Sequence, residues 1–75
     1  MKLGNHLRKL RFERDEMSQQ ALADLIDVTR MTIYSIEKGK YIPSTVLALK
    51  IAQVFERPVE EIFFLTDEKD QEKGE

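Results

Sequence analysis

Cysteine and tryptophan are absent from this 75-residue chain, and histidine occurs only once, at His6. Without cysteine the chain can form neither a disulfide nor a thiolate metal site, and one histidine cannot supply all the ligands of a zinc site. The sequence therefore predicts no metal and no cofactor. It also lacks a nucleophile–histidine–acid motif and a glycine-rich phosphate loop, so we expect it not to be an enzyme.

Long apolar runs are missing as well, since none exceeds four residues. A membrane-spanning helix needs about 20 apolar residues, and the N-terminal MKLGNHLRKL contains no apolar signal segment. The sequence accordingly predicts a soluble, cytoplasmic protein with no membrane contact. Its length suffices for one small domain. We expect that domain to span residues 1–66 and residues 67–75 to form a disordered acidic tail.

The negative net charge of the chain comes mostly from its last residues. The formal net charge is −2, yet the final nine residues, DEKDQEKGE, carry five acidic and two basic side chains. Residues 29–50 are locally positive, with one acid, Glu37, against the four basic residues Arg30, Lys38, Lys40 and Lys50. Because exposed charges are screened beyond about 10 Å, the local charge is what a phosphate backbone would meet. The composition therefore does not exclude DNA binding.

The first half of the chain shows helical spacing of its apolar residues. Leucines at positions 3, 7 and 10 predict a first helix over residues 3–14, with Asn5 as an alternative cap that would start it later. Ser18 is a suitable N-cap for a second helix. We expect that helix to turn three side chains inward, those of Leu22, Leu25 and Ile26.

Three more helices follow, so the predicted fold is all-α with five short helices. Thr29 caps the third helix, which ends before Gly39, a residue suited to a left-handed C-terminal position. Ser44 caps the fourth helix, and Pro58 opens a short fifth one. We expect Ile62 and Phe63 of this last helix to point into the core.

Helices two and three are separated by too few residues for an antiparallel hairpin. They must therefore cross at a large angle, as in a helix-turn-helix. Ala23 occupies the position where the two helices come closest, and a larger side chain there would push them apart. This spacing across a turn is more specific than a single amphipathic helix.

The stretch SQQALADLIDVTRMTIYSIEKGKYIPS resembles the helix-turn-helix of the Cro/repressor-type Xre family. TVLALKIAQVFERPVEEIF is similar to that family's fourth and fifth helices, so the resemblance covers about residues 5–65. Its markers are Leu22-Ala23, Thr32-Ile33, the IEKGK run and Pro43-Ser44. The resemblance implies a lambda-repressor-like domain that binds specific sequences of duplex DNA and regulates transcription, and we expect a repressor.

The third helix would then be a recognition helix over residues 29–38, which lies in the major groove and reads bases with its N-terminal residues. A helical wheel turns Ile33 and Ile36 to the core and most other side chains outward. Arginine suits guanine, and an apolar side chain such as methionine suits thymine methyl groups. We expect base contacts from Arg30, Met31, Tyr34 and Ser35. The plainer alternatives are a solvated Arg30, and a Met31 and Tyr34 that cover the core or bind a protein.

Contacts to the DNA backbone are implied by the resemblance. The expected phosphate contacts are Gln19, Thr32, Lys38, Lys40 and Tyr41. Such contacts position a protein on DNA without reading its sequence. Taken singly, the two lysines could equally be ordinary solvated charges.

The resemblance also implies a structural ion pair between Arg11 and Glu37, for which two unrelated surface charges are the alternative. The sequence departs from the family pattern at three places. Asp27 replaces a turn glycine, although aspartate tolerates the left-handed conformation better than most residues. Glu56 replaces the glycine that normally ends helix four, and one extra residue lies around residues 15–17, close to the Arg11 pairing.

Three large apolar side chains remain outside the predicted core. Phe63 is needed to close the core, which leaves Phe64 and Leu65 projecting from the end of the short fifth helix. Phe12 lies off the leucine stripe of helix one. Because contiguous exposed apolar patches usually have a function, we expect a homodimer on a near-palindromic DNA site, with an interface formed by Phe12, Phe64 and Leu65.

Two other functions remain open at this point. The same fold could be an antitoxin that binds a toxin enzyme and regulates its own gene, although the short polar tail offers no obvious toxin-binding extension. The third helix could also dock a protein partner alone, although its positive charge disfavours this alternative. The leading prediction is a DNA-binding transcriptional regulator.

Overall fold

A computed structural model describes residues 1–67 of the chain. Within these residues the elements are, in chain order, strand β1 (Lys2–Asn5), helices α1 (Leu7–Glu13), α2 (Gln19–Ile26), α3 (Arg30–Glu37) and α4 (Thr45–Phe55), a 3-10 helix (Val59–Glu61) and strand β2 (Phe63–Thr66). The predicted disordered tail, residues 67–75, lies outside the described residues except for Asp67. None of the helices described is long and apolar enough to cross a membrane.

The prediction of five helices and an all-α fold is wrong at both ends of the described residues. Residues 2–5 and 63–66 form a two-stranded antiparallel sheet, in which Leu3 pairs with Leu65 and Gly4 with Phe64. A short apolar run does not distinguish a strand from a buried helix by its periodicity. The decisive contacts join opposite ends of the chain, so neither segment shows them alone. The expected fifth helix is reduced to the single 3-10 turn.

Helix α1 begins four residues later than its leucine stripe predicts, because Leu3 lies in strand β1. The N-cap position is His6, whose side chain makes no capping bond, and Asn5, the suggested cap, lies one residue before it. Its Oδ1 accepts a hydrogen bond from the Leu7 amide at 3.0 Å, and its Nδ2 donates to the Ile36 carbonyl, also at 3.0 Å. This one side chain therefore starts α1 and ties it to the end of α3.

The three predicted N-caps are confirmed. The hydroxyl groups of Ser18, Thr29 and Ser44 accept hydrogen bonds from backbone amides three residues further on, at 2.9, 3.2 and 3.1 Å. Each bond satisfies an amide that has no partner inside its helix. Gly39, which follows Lys38, the C-cap of α3, takes a left-handed φ of 77°, as its position predicts.

Among residues 1–67, four residues other than glycine have positive φ angles. Asp27 ends α2 at φ 64° and Glu56 ends α4 at φ 55°, so both positions keep the left-handed conformation that a glycine would adopt more easily. Asp15 and Glu16 are the other two, at φ 55° and 54°. The extra residue between α1 and α2 is therefore accommodated in a strained turn.

The core lies between the helices and one face of the sheet. Its buried side chains are Leu7, Leu10, Leu22, Ala23, Ile26, Ile33, Ile36, Leu47, Ile51, Phe55, Ile62 and Phe63. The inward positions expected for residues 62 and 63 are thus correct. The prediction that Leu25 points inward is wrong, because 61% of its surface is exposed. Helix α2 packs on the core through a narrow stripe, and Leu25 lies beside that stripe.

Candidate nucleic-acid interface

Helices α2 and α3 are joined by the three residues Asp27, Val28 and Thr29. The left-handed Asp27 lets the Val28 amide donate to the Ala23 carbonyl at 3.0 Å, which closes α2 and turns the chain. Thr29 then caps α3. Ala23 is fully buried, as expected for the point where the two helices come closest. Local backbone chemistry therefore sets the angle at which α3 leaves the core.

The two sides of α3 differ in burial. Ile33 and Ile36 are buried in the core, whereas Arg30, Met31 and Tyr34 are exposed. Met31 has 58% of its surface exposed. Ser35 is half-buried at the border of this outer side. All four residues expected to contact bases thus lie on or beside one exposed surface.

The residues expected to contact phosphates lie in different settings. Lys38 lies over the Tyr34 ring, with its Nζ 5.7 Å from the ring centroid. Lys40 and Tyr41 follow the Gly39 turn and are exposed. Thr32 differs, because it is half-buried and its Oγ1 lies 3.0 Å from the Thr29 hydroxyl. Its hydroxyl group thus already has a partner within the protein.

Arg11 and Glu37 form a bidentate ion pair between α1 and α3. The Arg11 Nε and Nη2 atoms lie 2.6 and 3.0 Å from the two oxygens of Glu37, and both side chains are only 7% exposed. Arg11 also donates from Nη1 to the Met17 carbonyl at 2.7 Å. The extra residue around residues 15–17 therefore leaves this pair intact, and the turn itself is bound to it.

Gln19 extends this network toward the exposed surface. Its Nε2 donates to Glu37 Oε1 at 3.1 Å, and its Oε1 lies 3.5 Å from Nη1 of Arg30. Hydropathy and spacing carry no signal for such a bridge, so the sequence could suggest Gln19 only by resemblance. The structure adds a link from the buried ion pair to the first residue of α3.

The family model described as Helix-turn-helix matches residues 7–62 of the chain. This match spans α1 to the 3-10 helix and contains the whole of the α2–α3 pair. The chain belongs to this helix-turn-helix family.

Three curated relatives are similar over four fifths or more of their length. An uncharacterized HTH-type transcriptional regulator, YgzD of Bacillus subtilis (strain 168), is 44% identical over 66 residues, which cover 88% of this chain and 98% of the relative. One from Archaeoglobus fulgidus is 49% identical over 57 residues, covering 76% of this chain and 80% of its own. Control protein C.MunI of a Mycoplasma species is 38% identical over 63 residues, which cover 84% of this chain and 85% of the relative.

The apolar residues predicted for a dimer interface are in three different settings. Phe64 and Leu65 lie in strand β2, not at a helix end, so they point to opposite faces of the sheet. The Phe64 ring packs over Gly4, where a Cβ would collide with it, and stacks on His6 with centroids 4.6 Å apart. Leu65 is 69% exposed.

Phe12 lies on the outward side of α1 in this helix-turn-helix domain. The guanidinium groups of Arg8 and Arg11 lie over its ring, 5.1 and 5.7 Å from the centroid. The ring of Phe64 contacts His6, and Phe12 lies six residues further along the chain than His6. Six residues of helix correspond to a separation of about 9 Å along the axis. The three predicted interface residues therefore do not form one continuous cluster within a single chain.

Proposed function

We propose that this protein binds specific sequences of duplex DNA and represses transcription, with α3 as the recognition helix in the major groove. The observation that supports this most is the contrast between the two sides of α3. Its inner side is fixed by Ile33 and Ile36 in the core. Its outer side presents a guanidinium, a thioether, a phenol and a hydroxyl group, which suits base edges better than water.

Arg30 is the first residue of α3 and is exposed, at the end of a recognition helix that contacts bases. We propose that it donates to guanine O6 and N7, the commonest specific contact in the major groove. Met31 and Tyr34 contact thymine methyl groups and neighbouring base edges, and Ser35 adds a hydrogen bond. A protein that occupies a promoter in this way excludes other proteins from the same DNA.

The backbone contacts proposed beside α3 come from Gln19, Thr32, Lys38, Lys40 and Tyr41. Neutralising phosphates releases counterions, so affinity should fall steeply with salt. Residues 29–50 carry one acidic and four basic side chains. This local charge supports binding by a protein whose total charge is −2.

Selection of bound sites from a random duplex pool tests this function. We expect enrichment of one short motif in two inverted copies, and binding that weakens with added salt. Binding without any enriched motif, or no salt-sensitive binding to DNA, would exclude sequence-specific recognition. In the latter case the exposed side of α3 would be a protein-docking surface.

We further propose that the protein binds its site as a homodimer through the C-terminal edge. In the described residues β2 pairs only with β1, so its outer edge carries unpaired backbone groups, with Phe64 on one face and Leu65 on the other. An unprotected edge strand is a template for pairing with another chain. A two-fold dimer would present two α3 helices about 34 Å apart, matching successive turns of the major groove.

Sedimentation equilibrium at micromolar concentration tests the dimer directly. Leu65→Glu should shift the protein to monomer, because it adds a charge at the edge without disturbing the core. Leu25→Glu is the matched control, since Leu25 is 61% exposed on α2, and it should leave the dimer intact. Phe12→Ser tests the third predicted residue separately. A wild-type monomer, or a Leu65→Glu variant that still dimerises, would exclude this interface.

A further inference from the structure

The two-stranded sheet lies beside the loop that follows α3. One groove is lined by residues 1–3 together with Tyr41 and Ile42, so the start of β1 borders this loop. In the antiparallel sheet Lys2 pairs with Thr66, and neighbouring strands lie about 4.8 Å apart. The chain therefore leaves β2 at the end of the sheet that adjoins the loop.

The exposed side of this loop is cationic. Lys38 and Lys40 are both exposed, and the ion pairs among residues 1–67 include neither of them. The acid that precedes them, Glu37, is paired with Arg11 and only 7% exposed. Within the described part of the chain, the two ammonium groups therefore have no carboxylate partner.

The residues that follow β2 carry the opposite charge. Residues 67–75 contain five acidic and two basic side chains, and three of the acids, Glu68, Asp70 and Glu72, lie within six residues of the end of β2. Because an extended chain spans at most ~3.3–3.6 Å per residue, these carboxylates can reach about 20 Å from the sheet. The helix-turn-helix match ends at residue 62, so this acidic stretch lies outside the part of the chain that the family model describes.

We propose that residues 68–72 dock on the loop around Lys38 and Lys40 of the same chain and compete with DNA for these two lysines. This inference rests on the proposed function, in which both lysines contact phosphates. Carboxylates and phosphates are alike in accepting charge-assisted hydrogen bonds from an ammonium group, so DNA must displace the acidic segment before it can bind there. Since phosphate contacts do not read sequence, the competition lowers the affinity for all DNA sequences and leaves the base preference unchanged.

A carbodiimide, which joins a carboxylate to an amine only where the two touch, tests the docking on the full chain without DNA. We expect mass spectrometry to find links from Glu68, Asp70 or Glu72 to the loop lysines, and Lys40 in particular, that are lost at high salt or when DNA is added. A mixture of isotope-labelled and unlabelled protein separates links within one chain from links between chains. Lys9, exposed on α1, is the control. Links to Lys9 in equal yield, or none to the loop, would overturn the docking.

The effect on DNA is tested with the triple variant Glu68→Gln, Asp70→Asn and Glu72→Gln, which removes three charges at nearly constant side-chain size. We expect it to bind duplex DNA about three- to tenfold more tightly at low salt, the range for one or two exposed ion pairs, and to select the same motif as the wild type. Most of this gain should be lost in the Lys40→Ala background, because the docking site is then incomplete.

The matched control removes three exposed carboxylates from the folded domain, in the triple variant Glu13→Gln, Glu16→Gln and Glu60→Gln. It changes the net charge equally, so a smaller gain in affinity is expected. An equal gain in the control, or a gain that persists in full with Lys40→Ala, would show that the acids repel DNA from a distance, and would overturn the docking. If no variant binds DNA, the proposed function fails, whereas the cross-links still report whether the segment docks.

Discussion

The α2–α3 pair and the β1–β2 sheet differ in how far apart in the sequence their contacts lie. In the pair, each cap joins residues three apart, and the turn is closed by a bond from Val28 to Ala23. In the sheet, Lys2 pairs with Thr66 and Asn5 with Phe63. The first region is specified by local signals, whereas the second requires the two ends of the chain to meet on a core that already exists.

The two regions also use different chemistry to hold α1 in place. On the side of α3 the helix is bound through the buried pair of Arg11 and Glu37. At the sheet, His6, directly before α1, donates its backbone amide to the Ile62 carbonyl at 2.9 Å, and its ring lies tilted against that of Phe64. Substitutions in the two regions should therefore have effects of different size.

The largest effect is expected from breaking the buried ion pair. Glu37→Ala leaves the Arg11 guanidinium buried without its anion, which should lower the free energy of unfolding by about 3–5 kcal/mol. Arg57→Ala is the control, because its bonds to Glu13 and Glu61 are long and all three side chains are about half exposed. In urea denaturation, Arg57→Ala should lower the free energy of unfolding by at most ~1 kcal/mol. Equal losses of stability in Glu37→Ala and Arg57→Ala would contradict the argument that burial makes the pair of Arg11 and Glu37 the more important one.

The next effect concerns the sheet. Gly4→Ala places a Cβ against the Phe64 ring, so the ring must move, at a cost of about 1–3 kcal/mol. Phe64→Ala removes the obstacle, and Gly4→Ala in that background should cost much less. A double-mutant cycle by urea denaturation measures this coupling. Additive effects would show that the ring does not occupy the space over residue 4.

A smaller effect, of opposite sign, is expected at the two helix ends where a residue other than glycine takes the left-handed conformation. Glu56→Gly, in the segment that leads to β2, should stabilise the protein by about 1 kcal/mol, since glycine avoids the penalty of a left-handed side-chain residue. The melting temperature should then rise by about 4–8 °C. Asp27→Gly, within the α2–α3 turn, should gain less because aspartate tolerates this conformation better. A fall in melting temperature with Glu56→Gly would reveal a contact that the glutamate makes.

The smallest effect is expected from single surface lysines. Lys40→Ala, beside α3, should weaken binding to all DNA sequences alike and reduce the salt slope by about one unit. Lys9→Ala should leave the slope unchanged, because Lys9 lies on α1 among Arg8, Phe12 and Glu13, none of which is a proposed DNA contact. Fluorescence anisotropy over a range of salt concentrations checks both. Equal slopes for the two variants would place the DNA elsewhere on the protein.

The sequence was most informative where the relevant signals are local. The sequence identifies Ser18, Thr29 and Ser44 as caps because each acts within one helical turn, and the resemblance marks Asp27 and Glu56 as residues that stand in place of a glycine. The wheel also separated the buried Ile33 and Ile36 from the exposed Arg30. These residues suffice to predict the α2–α3 arrangement.

The sequence was least informative where contacts are distant or depend on orientation. The apolar stretch that contains Phe63 and Phe64 fits a helix as well as a strand until β1 is placed beside it. The bridge formed by Gln19 depends on which way an amide points, and no residue pattern encodes that. The opposite faces taken by Phe64 and Leu65 follow only once the strand is known.

The central claim is that the exposed side of α3 reads DNA sequence. Site selection with Arg30→Ala, in parallel with the wild type and Lys40→Ala, tests it most directly. We predict that Arg30→Ala loses its preference at one or two base pairs in each half-site while the rest of the motif persists, and that Lys40→Ala selects the wild-type motif with lower affinity. An unchanged motif with Arg30→Ala would contradict the assignment of this residue as a base reader.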